Sequence, residues 1–275
     1  MHHDALSQQI EVLRAHRNSF DELETFFQGN SRVLKLVPDQ PEFLLSRLEP
    51  TVHSRTDGPV IVPGIDARRV RLDRIFSRVL DASGFETSTL CDDGRTILIS
   101  RQKVAPIEVV VKHKFDGSPK HEYEGILETP TRSRFPLKPG DRHRKPYVRF
   151  DWRDRWPGKD KVMPEGLAAE FINVEAATLT ALGADRVLNG FLQPYGIEIT
   201  AVCFFMNEKG NVICGEVSTD NTNIECTGYD PALLDLFSSK DKQRAVEKAD
   251  AVLEAIGRQY PWTRDAEEAT HGRTD

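Results

Sequence analysis

A run of strand-forming residues ends in three cations, beside a turn that could hold an anion. The run "IEVVVKHK" spans 107–114, and the pair Gly117-Ser118 follows it closely. Ammonium groups and the free N–H groups of such a turn can bind phosphate through charge-assisted hydrogen bonds. A strand that simply leaves the core would also end in solvated charge. The residues alone therefore leave two interpretations, an anion site and an ordinary strand end.

A second group of chemically capable residues lies in "GEVSTD", which spans 215–220. Glu216, Ser218 and Asp220 occupy alternate positions of a predicted strand, so we expect all three to project from one face. Carboxylates arranged in this way can bind Mg²⁺, orient an amine or act as bases. The same alternation also suits the polar outer face of an ordinary sheet.

Composition limits the classes of protein to consider. The chain has 275 residues, 39% of them hydrophobic, which is enough for one large domain or two joined lobes. A net charge of −6 disfavours nucleic acid and anionic membranes as partners. We find no long apolar run and no secretory signal, so we expect a cytoplasmic protein. The four cysteines lack paired CxxC spacing, which favours free thiols over disulfides or a zinc site.

One segment runs against the acidic character of the chain. Residues 132–161 contain eleven Lys or Arg against four Asp, together with repeated Pro and Gly. Such a segment is either a solvated excursion or a flap that binds an anion.

Hydrophobic spacing predicts an α+β protein in which strands are grouped before helices. Two short helices open the chain, the second of them beginning with a capping box at Ser19. The strands "RTILISRQ" (95–102) and 107–114 are expected to be neighbours in one sheet. A helix from Pro164 to Leu192, broken at Gly183, precedes a hairpin. Further predicted elements are strands at 31–37 and 42–54, a helix at 66–84, the hairpin turn at 207–210 and a C-terminal amphipathic helix at 240–260.

Three segments in a fixed order resemble the SAICAR synthetase family. They are "PIEVVVKH" followed by Gly117-Ser118, the pair "GIEITAVCFF" and "GEVSTD", and "TDGPVIVPG" at 56–64. The resemblance implies an α+β, two-lobed fold with antiparallel sheets and a central cleft. Its implied domains are a helical extension (1–28), an N-terminal sheet lobe (29–105), a larger α+β lobe (106–262) and a disordered tail (263–275).

The family's activity is ATP-dependent formation of an amide between aspartate and a carboxylated aminoimidazole ribotide. By resemblance, Lys112 and Ser118 would hold the ribotide phosphate. The other implied roles are substrate binding by Asp57 and Ser218, catalysis by Glu216 and Asp220, metal binding by Glu216 and nucleotide binding by Arg32.

The chain also departs from the family where ATP and Mg²⁺ are bound. The lysines of G-K-x-K are replaced in "GNSR" (29–32), and D-F-K-x-E becomes "AVCFF" (201–205). The first acid of the D-E pair is Gly215, the lysine of P-G-K-G is Ile65 and the arginine after S-P-D is Asn223. Each lost group would balance phosphate or metal charge.

Two hypotheses about function follow. The first is a ligase that uses ATP and Mg²⁺ to join an amine to a carboxylated ribosyl heterocycle, in a specialised nucleoside pathway. The alternative is a repurposed scaffold that has lost ATP use, needs no cofactor and binds or transforms a ribotide-like ligand. Both imply a phosphorylated ribosyl small molecule as partner, with no nucleic acid and no membrane. A homo-oligomer, the substrate and the amine donor all stay open.

Overall fold

The structure is a computed structural model that describes residues 2–54, 58–115, 126, 128–132, 135–152, 161–227 and 244–257. The helices are α1 (His2–His16), α2 (Ile65–Ala82), α3 (Glu165–Ala168), α4 (Val174–Leu192) and α5 (Arg244–Gly257), with 3₁₀ turns at Arg17–Glu22 and Gln193–Tyr195. The first seven strands are β1 (Thr25–Gln28), β2 (Arg32–Leu36), β3 (Phe43–Leu48), β4 (Thr51–Ser54), β5 (Gly58–Ile61), β6 (Glu86–Thr87) and β7 (Thr89–Asp92). The remaining strands are β8 (Thr96–Ser100), β9 (Val104–Lys114), β10 (Arg142–Trp152), β11 (Lys161–Met163), β12 (Ile197–Asn207), β13 (Val212–Ile213) and β14 (Thr222–Cys226).

Two sheets, mainly antiparallel, and a short hairpin organise these elements. The five-stranded sheet has the order β1-β2-β3-β8-β7. The seven-stranded sheet has the order β11-β10-β9-β12-β13-β6, with β14 also paired to β12. Among the described strands, all pairings are antiparallel except that of β13 with β6, and β4 pairs with β5 as a separate hairpin. The predicted α+β class is confirmed, whereas the predicted lobe boundaries stay a prediction and the tail at 263–275 lies outside the described residues.

The prediction that strands 95–102 and 107–114 are neighbours is wrong. β8 lies between β3 and β7 in the smaller sheet, whereas β9 lies between β10 and β12 in the larger one. Residues 101–103 carry the chain from one sheet to the other. A short connection therefore marks a change of sheet here and not a hairpin.

The second predicted N-terminal helix is also wrong. The Ser19 hydroxyl donates to the carbonyl of His16 at 3.2 Å, within a 3₁₀ turn that ends at Glu22. Phe20 is buried beneath the guanidinium of Arg47, which lies 4.1 Å from the ring centroid. The β-forming residues that follow then pair with β2 as strand β1.

The helical region after Pro164 is interrupted earlier than predicted. α3 ends at Ala168, and Asn173 caps α4 by accepting a hydrogen bond from the backbone N–H of Ala176 at 3.1 Å. Gly183 does not break α4. A Cβ atom at this position would lie 2.7 Å from Cε1 of Phe85, so the glycine instead makes room for that ring.

The main core lies between the seven-stranded sheet and helices α2, α4 and α5. Ile107, Val109 and Val111 of β9 are buried in it, and α4 contributes the small side chains Ala177, Ala181 and Ala184. Because side chains alternate along a strand, Glu108, Val110 and Lys112 lie on the opposite face of β9. In the part of the chain that the structure describes, no helix is long and apolar enough to cross a membrane.

We expect Gly183→Ala to lower the free energy of unfolding by roughly 1–3 kcal/mol, because the new methyl group overpacks the Phe85 ring. Gly190 lies in the same helix, and a methyl group added there would meet no atom within 4 Å apart from the adjacent backbone of its own helix, so it offers a matched control. Gly190→Ala should raise the free energy of unfolding by up to about 1 kcal/mol through helix propensity. Urea denaturation measures both, and equal effects at the two positions would contradict the packing account.

Candidate functional site

A buried ion pair joins α2 to the loop that follows β13. The guanidinium of Arg69, only 1% exposed, donates from Nε to Glu216 Oε1 at 2.8 Å and from Nη2 to Glu216 Oε2. Its Nη1 donates to the carbonyls of Glu49 and Thr51, at 3.3 and 3.0 Å. Burial raises the pKa of the Glu216 carboxyl, but the charge and hydrogen bonds of Arg69 outweigh burial and hold that pKa below its usual value. Glu216 is therefore an anion fixed in place by a buried cation.

The segment 216–222, which we term the site loop, gathers the three predicted residues although only its last residue, Thr222, belongs to a strand, β14. β13 ends at Ile213, so the predicted alternation of Glu216, Ser218 and Asp220 along a strand is wrong. The Ser218 hydroxyl instead donates to Glu216 Oε1 at 2.6 Å, and the Asp220 N–H donates to Ser218 Oγ at 3.1 Å. Asp220 Oδ2 lies 3.5 Å from Arg69 Nη2. The structure thus brings the three together by local hydrogen bonding.

Asn221 supplies much of that local bonding and was not predicted. Its side-chain N–H₂ donates to the carbonyls of Cys203 and Glu216, at 2.7 and 2.9 Å. Its Oδ1 accepts from the Ser218 N–H at 2.8 Å. A side-chain amide that bonds to the backbone in this way competes with the pairing of a strand. The sequence signal for such a strand end is an Asn within a run of Ser, Thr and Asp.

A second buried carboxylate, Asp73, fixes the site loop from the same helix. Its Oδ1 accepts from the Val217 N–H at 2.8 Å, and its Oδ2 accepts from the Thr89 hydroxyl at 3.0 Å. Burial raises the pKa of Asp73 to about 7, against the opposing effect of the Val217 N–H. The sequence gives little indication that Arg69 and Asp73 belong to a site. They are opposite charges four positions apart on a helix that is predicted to pack against the core.

Arg32, the predicted nucleotide ligand, lies beside this cluster. Its Nε donates to Ser46 Oγ at 2.6 Å, and its Nη1 reaches the carbonyl of Cys214 at 3.5 Å. Burial lowers the pKa of Arg32, opposed by the nearby carboxylates of Asp73 and Glu216. Its role in nucleotide binding stays a prediction.

Lys112 lies elsewhere, on the polar face of the seven-stranded sheet. It is 5% exposed and stands opposite Tyr147 of β10 and Ala201 of β12. Close by on the same face is Cys203, whose thiol pKa is raised by burial and then by Glu108. The other charges near that thiol are those of Lys112, Asp151 and Arg149. Ser118 and Asp57, the remaining predicted substrate ligands, lie outside the described residues.

Comparison with solved structures identifies this arrangement of sheets and helices. A type-2 SAICAR synthetase in complex with ADP superposes with a TM-score of 0.71 at 19% identity, over 86% of this chain and 99% of that one. The type-1 SAICAR synthetase of Pyrococcus horikoshii OT3 gives 0.65 at 16% identity, over 87% and 99%. The chain has the SAICAR synthetase fold. The Saccharomyces cerevisiae SAICAR synthase complexed with SAICAR also matches, with a TM-score of 0.62 at 17% identity over 92% and 96%.

The sequence of this chain is also similar to that of one curated relative. It is "Bifunctional cordycepin biosynthesis cluster protein 3" of Cordyceps militaris, 23% identical over 262 residues. The match covers 82% of this chain, which spans only 29% of the length of that relative. The chain matches no protein-family model.

Within the SAICAR synthetase fold, the two positions where acids are expected are sterically linked. A Cβ atom on Gly215 would lie 2.8 Å from Cδ2 and 3.2 Å from Cβ of Phe205. Phe205 therefore fills the space that a side chain at 215 would need. Across the described ranges, no three His, Cys, Asp or Glu side chains are grouped so that they could hold a metal ion. The described residues do not fit a Mg²⁺ site at these positions, and metal binding by Glu216 stays a prediction.

We expect Arg69→Met to lower the free energy of unfolding by about 3–5 kcal/mol, because it leaves the Glu216 carboxylate buried without its cation. The double variant Arg69→Met/Glu216→Gln should recover part of that loss. Arg68→Met is the control, since Arg68 pairs with Asp250 at the surface and should cost less than about 1 kcal/mol. Equal losses in the single and double variants, measured by urea denaturation, would contradict a dominant ion pair.

The raised pKa of Asp73 predicts a specific dependence of stability on pH. The folded protein holds the Asp73 proton more tightly than the unfolded chain, so stability from this group is present below about pH 4 and is lost as pH rises through about 7. Between about pH 5 and pH 8 the loss should be on the order of 2 kcal/mol. We expect Asp73→Asn to remove this part of the pH dependence, because an Asn side chain does not titrate. The contact with the site loop should survive, since the Asn oxygen can still accept from the Val217 N–H. Unfolding curves that stay parallel for the two proteins across this range would refute the assignment.

Proposed function

We propose that this protein is a SAICAR synthetase-like ligase of a specialised nucleoside pathway. It would join an amine to the carboxylate of a phosphorylated ribosyl heterocycle, with ATP activating that carboxylate. The observation that carries the proposal is the assembled site loop, held by the buried Arg69, within the SAICAR synthetase fold. The relative named for a cordycepin biosynthesis cluster supports the nucleoside pathway.

The substrate would lie on the polar face of the seven-stranded sheet. Lys112 would attract its phosphate, and Ser118 and Asp57 would complete that site. Lys in place of the family's Arg keeps the charge but loses the bidentate fork, so phosphate recognition would be less directional.

The site loop would serve the reaction at the carboxylate. Asp220 is the better candidate to orient or deprotonate the amine, because its side chain is 20% exposed against 11% for Glu216. Glu216 would act mainly by fixing the loop, and it could hold a metal only if Arg69 released it. Ser218 would stay a hydrogen-bonding partner of both. A cytoplasmic location and a small-molecule partner belong to the same proposal, with a homo-oligomer left open.

The second candidate is a repurposed scaffold that binds or transforms a ribotide-like ligand without ATP. The ring of Phe205 favours it, because this ring fills the space that a side chain at 215 would need, and Phe205 and Gly215 stand where two acids are expected to serve ATP and Mg²⁺. Apolar and neutral groups cannot balance the charge of a triphosphate.

We expect slow or absent SAICAR formation when the protein is supplied with carboxyaminoimidazole ribotide, aspartate and ATP·Mg²⁺. The physical reason is the loss of carboxylates at 205 and 215, which should also weaken binding of ATP·Mg²⁺. ADP release and product mass measure turnover, with a purine-pathway SAICAR synthetase assayed in parallel as control. Robust turnover would contradict the residue assignments at these two positions. No turnover with any carboxylated ribotide, together with binding of a ribosyl phosphate, would favour the second candidate.

We expect Lys112→Met to weaken binding of ribose 5-phosphate or an aminoimidazole ribotide by about 1.5–3 kcal/mol, the range for losing a charged hydrogen bond. Methionine keeps much of the side-chain length, so the fold should survive. Lys103→Met is the control, because Lys103 is 82% exposed and pairs with Glu208 at 2.8 Å. Isothermal titration calorimetry measures both, and unchanged affinity in the Lys112 variant would remove Lys112 from the phosphate site.

A further inference from the structure

Helix α5 supplies a buried ammonium group to the site loop. Lys248 is 1% exposed, and its Nζ donates to the carbonyl of Thr219 at 2.9 Å and to that of Thr222 at 2.6 Å. Both acceptors belong to the loop that carries Ser218 and Asp220. Neither the sequence patterns nor the resemblance to SAICAR synthetases pointed to this lysine.

Packing alone does not explain a lysine at this position. Its neighbours along α5 are the buried Ala245, Ala249 and Val252, so an apolar side chain would suit the helix face. Removing an ammonium from water carries a free-energy cost of several kcal/mol, which good hydrogen bonds must offset. The ammonium donates directional hydrogen bonds to two backbone carbonyls, which an apolar side chain cannot do.

Those two carbonyls bracket Asp220 in the chain. Thr219 directly precedes Asp220, and the Thr222 hydroxyl donates back to the carbonyl of Ser218 at 3.0 Å. On its other side Asp220 faces Arg69 of α2, at 3.5 Å. The loop is thus held between α2 and α5.

We propose that Lys248 is a positioning residue that fixes the site loop and thereby the Asp220 carboxylate. Its effect on the loop rests on the geometry above, and its effect on turnover rests on the proposed function. Lys248 itself need not contact the substrate.

Hydrogen–deuterium exchange tests the positioning role without any ligand. In Lys248→Met, amides of the site loop should exchange roughly 10- to 100-fold faster, the range expected on losing charged hydrogen bonds, while α4 keeps its wild-type exchange. Arg68→Met, which breaks the surface contact between α2 and α5, should leave the loop unchanged. Lys248→Arg should restore most of the protection. If the methionine variant does not fold, Lys248→Gln, which keeps a donor, replaces it.

Two exchange results would overturn the proposal: an unchanged site loop, or an equal acceleration in the loop and in α4. Kinetics separate positioning from general destabilisation. Where the wild type turns over, Lys248→Met should lower kcat at least about tenfold and leave KM for ATP within about twofold. An unchanged kcat with an opened loop would refute the link to Asp220. A wild type without turnover on any carboxylated ribotide would count against the proposed ligase, while the exchange data would still decide the role of Lys248.

Discussion

The contact between Arg69 and Glu216 is the interaction on which the site depends. It connects a helix near the start of the chain with a loop 147 residues later, and both charges are removed from most solvent. Such a pair tolerates the loss of neither partner, because the remaining charge would be buried alone. The hydrogen bonds of Asp73, Ser218 and Asn221 then shape the loop around a carboxylate whose position is already fixed.

Side chains alternate along the central strands, so the two faces of the larger sheet have different roles. One face of β9 is apolar and packs against the alanines of α4, which allow the helix to approach closely. The other face carries Glu108, opposite Asp151 of β10, and Lys112, opposite Tyr147 of the same strand. A single strand can therefore stabilise the core and present charge, provided that its register does not slip.

Local patterns predicted much of the fold and little of the site. The spacing of Val70, Ile75 and Leu80 indicates α2, and the polar turn before Val212 indicates the hairpin of β12 and β13. These signals lie within a few residues of each other. The interruption of the helix after Pro164 is fixed by the Asn173 cap. The glycine at 183 is explained by the ring of Phe85, which packs against it and is distant in sequence. Contacts of that kind leave no trace in hydrophobic periodicity.

The candidate site escaped prediction for the same reason. Glu216, Ser218 and Asp220 were selected correctly as neighbours, but on the wrong backbone, because the side chain of Asn221 takes over hydrogen bonds that a strand partner would make. Arg69, Asp73 and Lys248 are charged residues on helix faces that pack inward. Their partners lie far away in sequence, and only the folded chain brings them together.

The contact between Phe205 and Gly215 constrains how the sequence can change. With the phenylalanine in place, the Cβ of a side chain at 215 would lie 2.8 Å from Cδ2 of its ring, so a substitution at 215 requires that ring to move. An acid at 215 is better accommodated beside a smaller residue at 205 than beside this ring. The two positions are therefore coupled: the effect of a substitution at 215 depends on which residue stands at 205.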